Sequence, residues 1–256
     1  MCVSEDFPIP VYEEIGAGYC NTRRADPRIA RQIHAALGNA TSVVNVGAGA
    51  GAYEPCDREV LPIEPSSRMI AQRSPDLPEA IRGYAECLPL PSDCVDAAMA
   101  CMTLHHWPDW RIGVQELRRV ARERIVIFTY DRSYSERFWL LRDYLPRLGR
   151  VDSQRFPALE EQSAALGEDV KIEPVLIAHD CEDGFLGAYW RRPHAYLDKQ
   201  VRAGISTFHL ADAEETLDGL GGLADDLDNG RWEDRYQDLL DREQLDLGYR
   251  LLVTEL

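Results

Sequence analysis

Short apolar runs alternate with amphipathic segments along the first half of the chain. The runs are rich in β-branched or small residues, and they predict strands at 43–46, 60–63, 80–84, 95–102 and 125–129. Before the last of these, apolar residues recur at helical spacing among arginines over 110–122, which predicts an amphipathic helix. Strands that alternate with helices in this way are typical of a doubly wound, mostly parallel, Rossmann-like sheet of the α/β class.

The segment before the first predicted strand, residues 1–40, is interpreted as an N-terminal lid with helices. Within it, Asp26 suits the N-cap of a helix, Pro27 suits the first helical position, and Gly38 ends the apolar pattern. The apolar residues between these limits recur on one side of the helix. We therefore expect this helix to pack against the sheet.

The alternation loosens after residue 134. Helices are predicted at 138–144 and 157–166, and two further strands at 170–178 and 249–254, which makes seven strands. The stretch between those two strands is aromatic, acidic and helical in pattern. Because the last strand returns to the sheet, we expect a single domain in four consecutive parts: lid 1–40, core 41–180, helical cap insertion 181–245 and last core strand 246–256.

Composition and charge narrow the classes of function. The 256 residues are 45% apolar and 28% charged, which is ordinary for one soluble α/β core. A formal net charge of -16 argues against a nucleic-acid partner, since phosphate neutralisation needs clustered Lys and Arg. Seven cysteines without a CxxC pair predict reduced thiols, no metal site and a cytoplasmic location. The absence of a long apolar run predicts no membrane span, and we expect a monomer or homodimer that binds a small molecule.

The first strand ends in a glycine turn that suits a nucleotide. Gly47, Gly49 and Gly51 lack Cβ atoms, so the loop can take positive φ values and let a ligand lie against its backbone. Glu64 ends the second predicted strand, where a carboxylate can accept hydrogen bonds from both ribose hydroxyls. The turn also fits the dinucleotide pattern through Ala52, but Glu64 follows Gly47 by 17 residues, where about 20 is usual.

Two adjacent histidines follow the fourth predicted strand. His105 and His106 would lie at the carboxyl edge of the sheet, where ligands of open α/β folds bind. A histidine there can deprotonate a hydroxyl, an ammonium or an acidic carbon near neutral pH, and His179 is a further candidate base. The alternative is that the turn at 105–109 only caps a helix while Trp107 packs inward.

Four segments follow one another along the chain: VNVGAGAG at 44–51, IEPS at 63–66, the stretch 83–91 and LHHWPD at 104–109. In this order and spacing the chain resembles the class I S-adenosylmethionine-dependent methyltransferases, in particular the small-molecule branch that includes the ubiquinone/menaquinone-type enzymes. The resemblance implies S-adenosylmethionine as cofactor, S-adenosylhomocysteine as product, and methyl transfer to O, N or C of a small molecule, secondary metabolism being one setting. Two alternative hypotheses for the function are a cyclase and a noncatalytic ligand-binding protein with the same fold.

The resemblance also implies roles for individual residues around the cofactor. The glycine turn would line its methionine and ribose parts, Glu64 would hold the ribose, and an arginine of the lid would pair with the methionine carboxylate, Arg23 being an alternative to Arg24. One departure is Tyr84, which stands where the family often has an Asp that binds the adenine amino group, so that Glu86 or backbone groups would substitute. The cofactor-binding residues predicted in this way are Tyr19, Arg24, Gly47, Ala48, Gly49, Gly51, Glu64, Pro65, Met69, Ala85, Glu86, Cys101 and Met102.

The predicted catalytic residues are His106, His105 and Tyr19. In related phosphoethanolamine methyltransferases a histidine in this position pairs with a tyrosine of the lid, which implies a pair of His106 with Tyr12 or Tyr19. Further along the chain, aromatic and histidine side chains would form a roof over an apolar or cationic acceptor, unless they are core residues. These are Phe185, Tyr189, Trp190, His194, Tyr196 and Phe208.

Overall fold

The structure is a computed structural model that describes residues 8–16 and 18–256. Its strands are β1 Ser42–Val46, β2 Glu59–Glu64, β3 Ile81–Arg82, β4 Val95–Cys101, β5 Ala121–Tyr130, β6 Val170–Pro174, β7 Ile177–Ala178, β8 Gln244–Leu245 and β9 Tyr249–Glu255. The main sheet has seven strands in the order β3-β2-β1-β4-β5-β9-β6. Strands β1 to β5 are parallel, and β9 runs antiparallel between β5 and β6. The predicted seven-stranded, mostly parallel sheet is confirmed.

Helices cover both faces of this sheet. They are α1 Val11–Ile15, α2 Pro27–Ala36, α3 Ser67–Ile70, α4 Trp110–Val120, α5 Pro146–Arg155, α6 Leu159–Leu166, α7 Lys199–Ala203, α8 Ala213–Asp228, α9 Arg231–Arg235 and α10 Gln237–Leu240. Because side chains alternate along a strand, Val43 joins the core that contains α2, and Val44 joins the core that contains α4. Among the helices of the described ranges, none has the length and apolar character that a membrane crossing requires.

The helix predicted over 110–122 and the strand predicted over 170–178 have different limits in the structure. The helix predicted over 110–122 ends at Val120, because the Cys94 N–H binds the Val120 carbonyl and the chain enters β5 at Ala121. The strand predicted over 170–178 is interrupted after Pro174, whose ring removes a backbone donor. Residues 177–178 pair instead with β8 in a separate two-stranded sheet, which joins the two ends of the insertion.

The predicted cap of α2 also ties the lid to the insertion. Asp26 is buried, and its carboxylate accepts from the Arg28 N–H at 2.9 Å and from the Glu182 N–H at 3.1 Å. Burial acts to raise the pKa of Asp26, but the hydrogen bonds from Arg28 and Glu182 outweigh it and lower the pKa to about 2.

We expect Asp26→Ala to lower the free energy of unfolding by about 2–4 kcal/mol, since a cap is lost and a buried N–H is left unpaired. A depressed carboxyl pKa stabilises the fold above the ordinary aspartate range, and this stabilisation is lost as the pH falls towards 2. Urea unfolding at pH 7 and at pH 3 measures both effects. The difference between wild type and variant should shrink at pH 3, and an equal difference at both pH values would contradict the assignment.

Candidate active site

A cavity of about 330 Å³ opens at the carboxyl ends of β1, β2 and β4, where ligands of open α/β sheets bind. Its walls are formed by the glycine turn, the segment around Ala85, the N-terminal lid and the turn at 104–109, here called the histidine turn. Most of the predicted site residues line it, namely Tyr19, Gly47, Ala48, Gly49, Glu64, Pro65, Met69, Ala85, Glu86, Cys101, Met102, His105 and His106. The fold therefore brings together residues that lie up to 87 positions apart in the sequence.

The glycine turn lies directly against the end of β4. Gly47 has a φ of 72°, and a Cβ at this position would overlap the Thr103 hydroxyl. Main-chain N–H groups of Gly47 and Ala48 both donate to the Ile63 carbonyl, which fixes the turn across β2. Met102, just after β4, is a non-glycine residue with a φ of 51°, a conformation that costs roughly 1–2 kcal/mol. The backbone is thus closely fitted where the two strands meet the cavity.

Glu64 organises the floor of the cavity. Its carboxylate is buried, with Oε2 accepting from the Gly49 N–H at 2.8 Å and Oε1 from the Ser66 N–H at 2.9 Å. Burial raises the pKa of Glu64 above its ordinary value. Each carboxylate oxygen keeps a further lone pair, so the group can still accept from a ligand diol.

A buried ion pair that the sequence did not single out supports the glycine turn. Arg73 pairs with Glu54 at 2.7 Å, and its guanidinium also donates to the Gly49 carbonyl at 3.4 Å. Asn45 donates to Glu54 at 3.0 Å, while its Oδ1 is buried without a partner in the described part of the chain. Asn45 lines the cavity, and a polar residue inside an apolar strand was the signal that could have identified it.

The other end of the cavity suits an adenine ring. The Met69 side chain is buried below the glycine turn, with its Cε 3.4 Å from the position of a Cβ on Gly49. Glu86 accepts from the Asp109 N–H at 2.9 Å through Oε1, whereas Oε2 is buried and has no partner among residues 8–16 and 18–256. An acceptor oxygen of this kind fits the exocyclic amino group of adenine, so the residues present fit an adenosyl group.

Two predicted cofactor residues do not line the cavity. A Cβ on Gly51 would overlap Leu77, so this glycine faces away from the site. Arg24 is also absent from the lining, and the neighbouring Arg23 takes that place. The Arg23 guanidinium lies 4.9 Å from the centre of the Tyr19 ring and binds the buried Asp183 at 2.6 Å. Asp183 comes from the insertion, a partner that the sequence did not indicate.

His106 is surrounded by cationic and aromatic groups. Its Nδ1 lies 3.2 Å from the Arg155 guanidinium, and its ring meets the Tyr12 ring edge-on at a centroid distance of 5.0 Å. Tyr19 instead packs against Tyr12, at 5.4 Å. Burial, and then the charges of Arg155 and Arg23, lower the pKa of His106 to about 3. The pKa of His105 is lowered as well, first by burial. Both imidazoles are therefore neutral at pH 7.

A second, smaller chamber of about 40 Å³ adjoins the cavity. Both spaces are lined by Tyr12, Arg23, Met102 and His105, so they meet at these four residues. A single water molecule needs a cavity volume of at least about 10–15 Å³. The chamber therefore has room for only a few heavy atoms. The rest of its lining is mostly aromatic and apolar, and its carboxyl and aliphatic hydroxyl groups belong to Asp152, Ser206 and Thr207.

Asp152 is the acid in this chamber. It is 3% exposed, and its Oδ1 accepts from the Thr207 hydroxyl at 3.0 Å and from Arg155 at 3.3 Å. Burial raises the pKa of Asp152. No sequence motif marks Asp152 or Arg155, and their spacing of three on α5 was the available signal.

The predicted aromatic roof is largely core. Phe185 lines the small chamber, but Trp190 and Tyr196 are fully buried and bind main-chain carbonyls of Ile177 and Leu186. Neither space is lined by Tyr189, His194 or Phe208. His179 lies beside β8, 3.3 Å from Glu243, and lines neither space.

Comparison with known proteins assigns this arrangement to a family. The family described as a methyltransferase domain matches residues 44–128. A solved structure from Anabaena variabilis ATCC 29413, described as a methyltransferase from an antibiotic biosynthesis pathway, is 36% identical over 92% of this chain and 99% of that chain, with a TM-score of 0.85. The curated proteins give no significant match.

More distant structures agree on the fold. A methyltransferase from Thermotoga maritima matches 65% of this chain and 84% of that chain, with 20% identity and a TM-score of 0.51. A methyltransferase from Bacillus halodurans C-125 matches 89% of this chain and 96% of that chain, with 15% identity and a TM-score of 0.50. The near full-length relationship to the Anabaena protein, together with the glycine turn, Glu64 and the cavity that they form, shows that the chain belongs to the class I S-adenosylmethionine-dependent methyltransferases.

Proposed function

We propose that this enzyme transfers a methyl group to a small molecule whose reacting group enters the chamber of about 40 Å³. The observation that carries the proposal is the shared wall of four residues, Tyr12, Arg23, Met102 and His105, at which the chamber meets the cofactor cavity. A donor in one space and an acceptor in the other can align through this opening. Alignment supplies most of the rate in a displacement of this kind.

The residues of the large cavity have distinct roles in this proposal. The glycine turn and Glu64 bind the ribose, and Met69 and Ala85 flank the adenine while Glu86 Oε2 accepts from its amino group. When bound, S-adenosylmethionine supplies an electrophilic methyl group on a sulfonium. Arg23 neutralises the methionine carboxylate, and the lid covers the site. Met102 lies at the opening towards the chamber, and the neighbouring Cys101 lines the large cavity.

The chamber favours a neutral acceptor. Its nearby charges are already paired, Arg23 with Asp183 and Arg155 with Asp152. A charged acceptor group would leave one charge unpaired in a buried site, which is costly. A hydroxyl or amine N–H can instead donate to Asp152, whose Oδ2 makes no hydrogen bond with the described residues. The aromatic walls of the chamber suit the few apolar atoms next to the reacting group.

The biological setting is also part of the proposal. Secondary metabolism is supported by the relationship to the Anabaena protein described as belonging to an antibiotic biosynthesis pathway. Membership of the ubiquinone/menaquinone-type branch rests on the motif order in residues 44–109. A cyclase of the same fold is the rival, since it would keep the cofactor cavity but not transfer the methyl group.

Two measurements test the function together. Native mass spectrometry of the purified protein should detect S-adenosylmethionine or S-adenosylhomocysteine bound to the chain. Incubation with methyl-labelled S-adenosylmethionine and a metabolite extract should then place the label on a small molecule. Bound cofactor with a rearranged but unlabelled product would favour the cyclase. Bound NAD would contradict the proposed cofactor site.

A further inference from the structure

A continuous chain of polar contacts connects the insertion to the histidine turn. The Thr207 hydroxyl donates to Asp152 Oδ1 at 3.0 Å, Asp152 Oδ1 binds Arg155 at 3.3 Å, and Arg155 reaches His106 Nδ1 at 3.2 Å. Asp152 and Thr207 are buried, and Arg155 is 18% exposed. The insertion is therefore coupled through α5 to a side chain of the cofactor cavity.

The contact with Arg155 determines which tautomer the neutral His106 imidazole adopts. A guanidinium has five N–H donors and no acceptor, so the Nδ1 that it contacts must be the acceptor. The neutral imidazole then carries its hydrogen on Nε2. This atom is buried and has no hydrogen-bond partner in the portion of the chain that the structure describes. A buried donor without a partner is costly unless a ligand supplies one.

The groups around the ring also disfavour an imidazolium. They are Arg155 on α5, His105 in the same turn with its ring centre 3.9 Å away, Tyr12 on α1 and Arg23 of the lid. None of these groups is an acid. Nothing in this set would stabilise a positive charge on His106 after it had accepted a proton.

We propose that Arg155 is a positioning residue that holds His106 as an Nε2–H hydrogen-bond donor. His106 then donates to a lone pair on an oxygen or nitrogen atom of a ligand. It does not act as a base that removes a proton from the ligand. This inference deepens the proposed function and rests on it. The ligand atom is of the kind found in a carbonyl, an ether or a neutral hydroxyl. A proton released by an acceptor hydroxyl then goes to Asp152 Oδ2, which Arg155 and Thr207 leave free.

Nitrogen-15 NMR of the full chain tests this assignment without any substrate. Long-range proton–nitrogen correlations of the imidazoles distinguish an Nε2–H from an Nδ1–H tautomer, and His106→Gln identifies the signal. We expect the Nε2–H tautomer for His106, with no change of its shifts between pH 8 and pH 5. An Nδ1–H tautomer, or a titration centred near the ordinary histidine value, would overturn the proposal.

Two arginine variants separate positioning from general stability. Arg155→Met should move the titration of His106 to higher pH and populate the Nδ1–H tautomer. Arg132→Met is the matched control, because Arg132 donates to the carbonyl of Phe156, the residue after Arg155, and makes no hydrogen bond with His106. Equal spectra for His106 in wild type and Arg155→Met would refute the role of Arg155. Because no cofactor is added, failure here is distinguishable from failure of the cofactor site.

Discussion

Gly47→Ala is expected to destroy the cofactor site while leaving most of the sheet intact. The φ of 72° at this position costs a non-glycine residue roughly 1–2 kcal/mol, and the new Cβ would overlap Thr103. The turn must then move away from the end of β4. We expect the affinity for S-adenosylhomocysteine, measured by calorimetry, to fall at least about a hundredfold, or about 2.7 kcal/mol.

Two further substitutions make this prediction specific. Gly221→Ala is the control, because Gly221 lies in α8 and a new Cβ there would meet no atom within 4 Å apart from the backbone of its own helix. Alanine is more stable than glycine inside a helix by about 0.5–1 kcal/mol, so this variant should fold. Thr103→Gly combined with Gly47→Ala should restore part of the affinity by removing the overlap. An affinity in Gly47→Ala equal to that of the control would contradict the close fit of the turn.

Glu64→Gln should give the second largest loss of cofactor affinity. Glutamine keeps the size of the side chain but replaces one carboxylate oxygen by a donor and removes the charge that strengthens hydrogen bonds to a diol. The loss of such bonds amounts to about 2–4 kcal/mol, roughly thirty- to seven-hundredfold in affinity. Calorimetric titration with S-adenosylhomocysteine measures it directly.

The same strand supplies the control for this prediction. Glu59 is exposed at the start of β2, while Glu64 is buried at its end, so Glu59→Gln changes the same net charge far from the cavity. We expect wild-type affinity for Glu59→Gln. Equal affinities in the two variants would show that Glu64 does not hold the ribose.

The parts of the site that the sequence predicted are those encoded locally. One segment of 22 residues, 43–64, contains the apolar strand, the three alternating glycines and the acid at the end of the next strand. Neighbouring parallel strands then bring their carboxyl ends to the same edge of the sheet. The position of Glu64 beside Gly49 follows from this short-range pattern.

The other parts depend on long-range packing. Arg23 and Arg24 are adjacent, and Arg23, which lines the cavity, is bound by Asp183 of the insertion, 160 positions away in the sequence. Asp152 and Arg155 reach the site because α5 packs beside the histidine turn. Aromatic residues such as Trp190 occur both in cores and in binding sites, so composition alone could not assign them.

We expect S-adenosylmethionine to bind in the cavity at the carboxyl ends of β1, β2 and β4. A crystal structure of the full chain with S-adenosylhomocysteine tests it most directly. The ribose hydroxyls should lie within hydrogen-bond distance of Glu64, the adenine beside Met69 and Ala85, and the sulfur at the opening formed by Met102 and His105. S-adenosylhomocysteine bound elsewhere, or with its ribose away from Glu64, would show that the cavity is not the cofactor site.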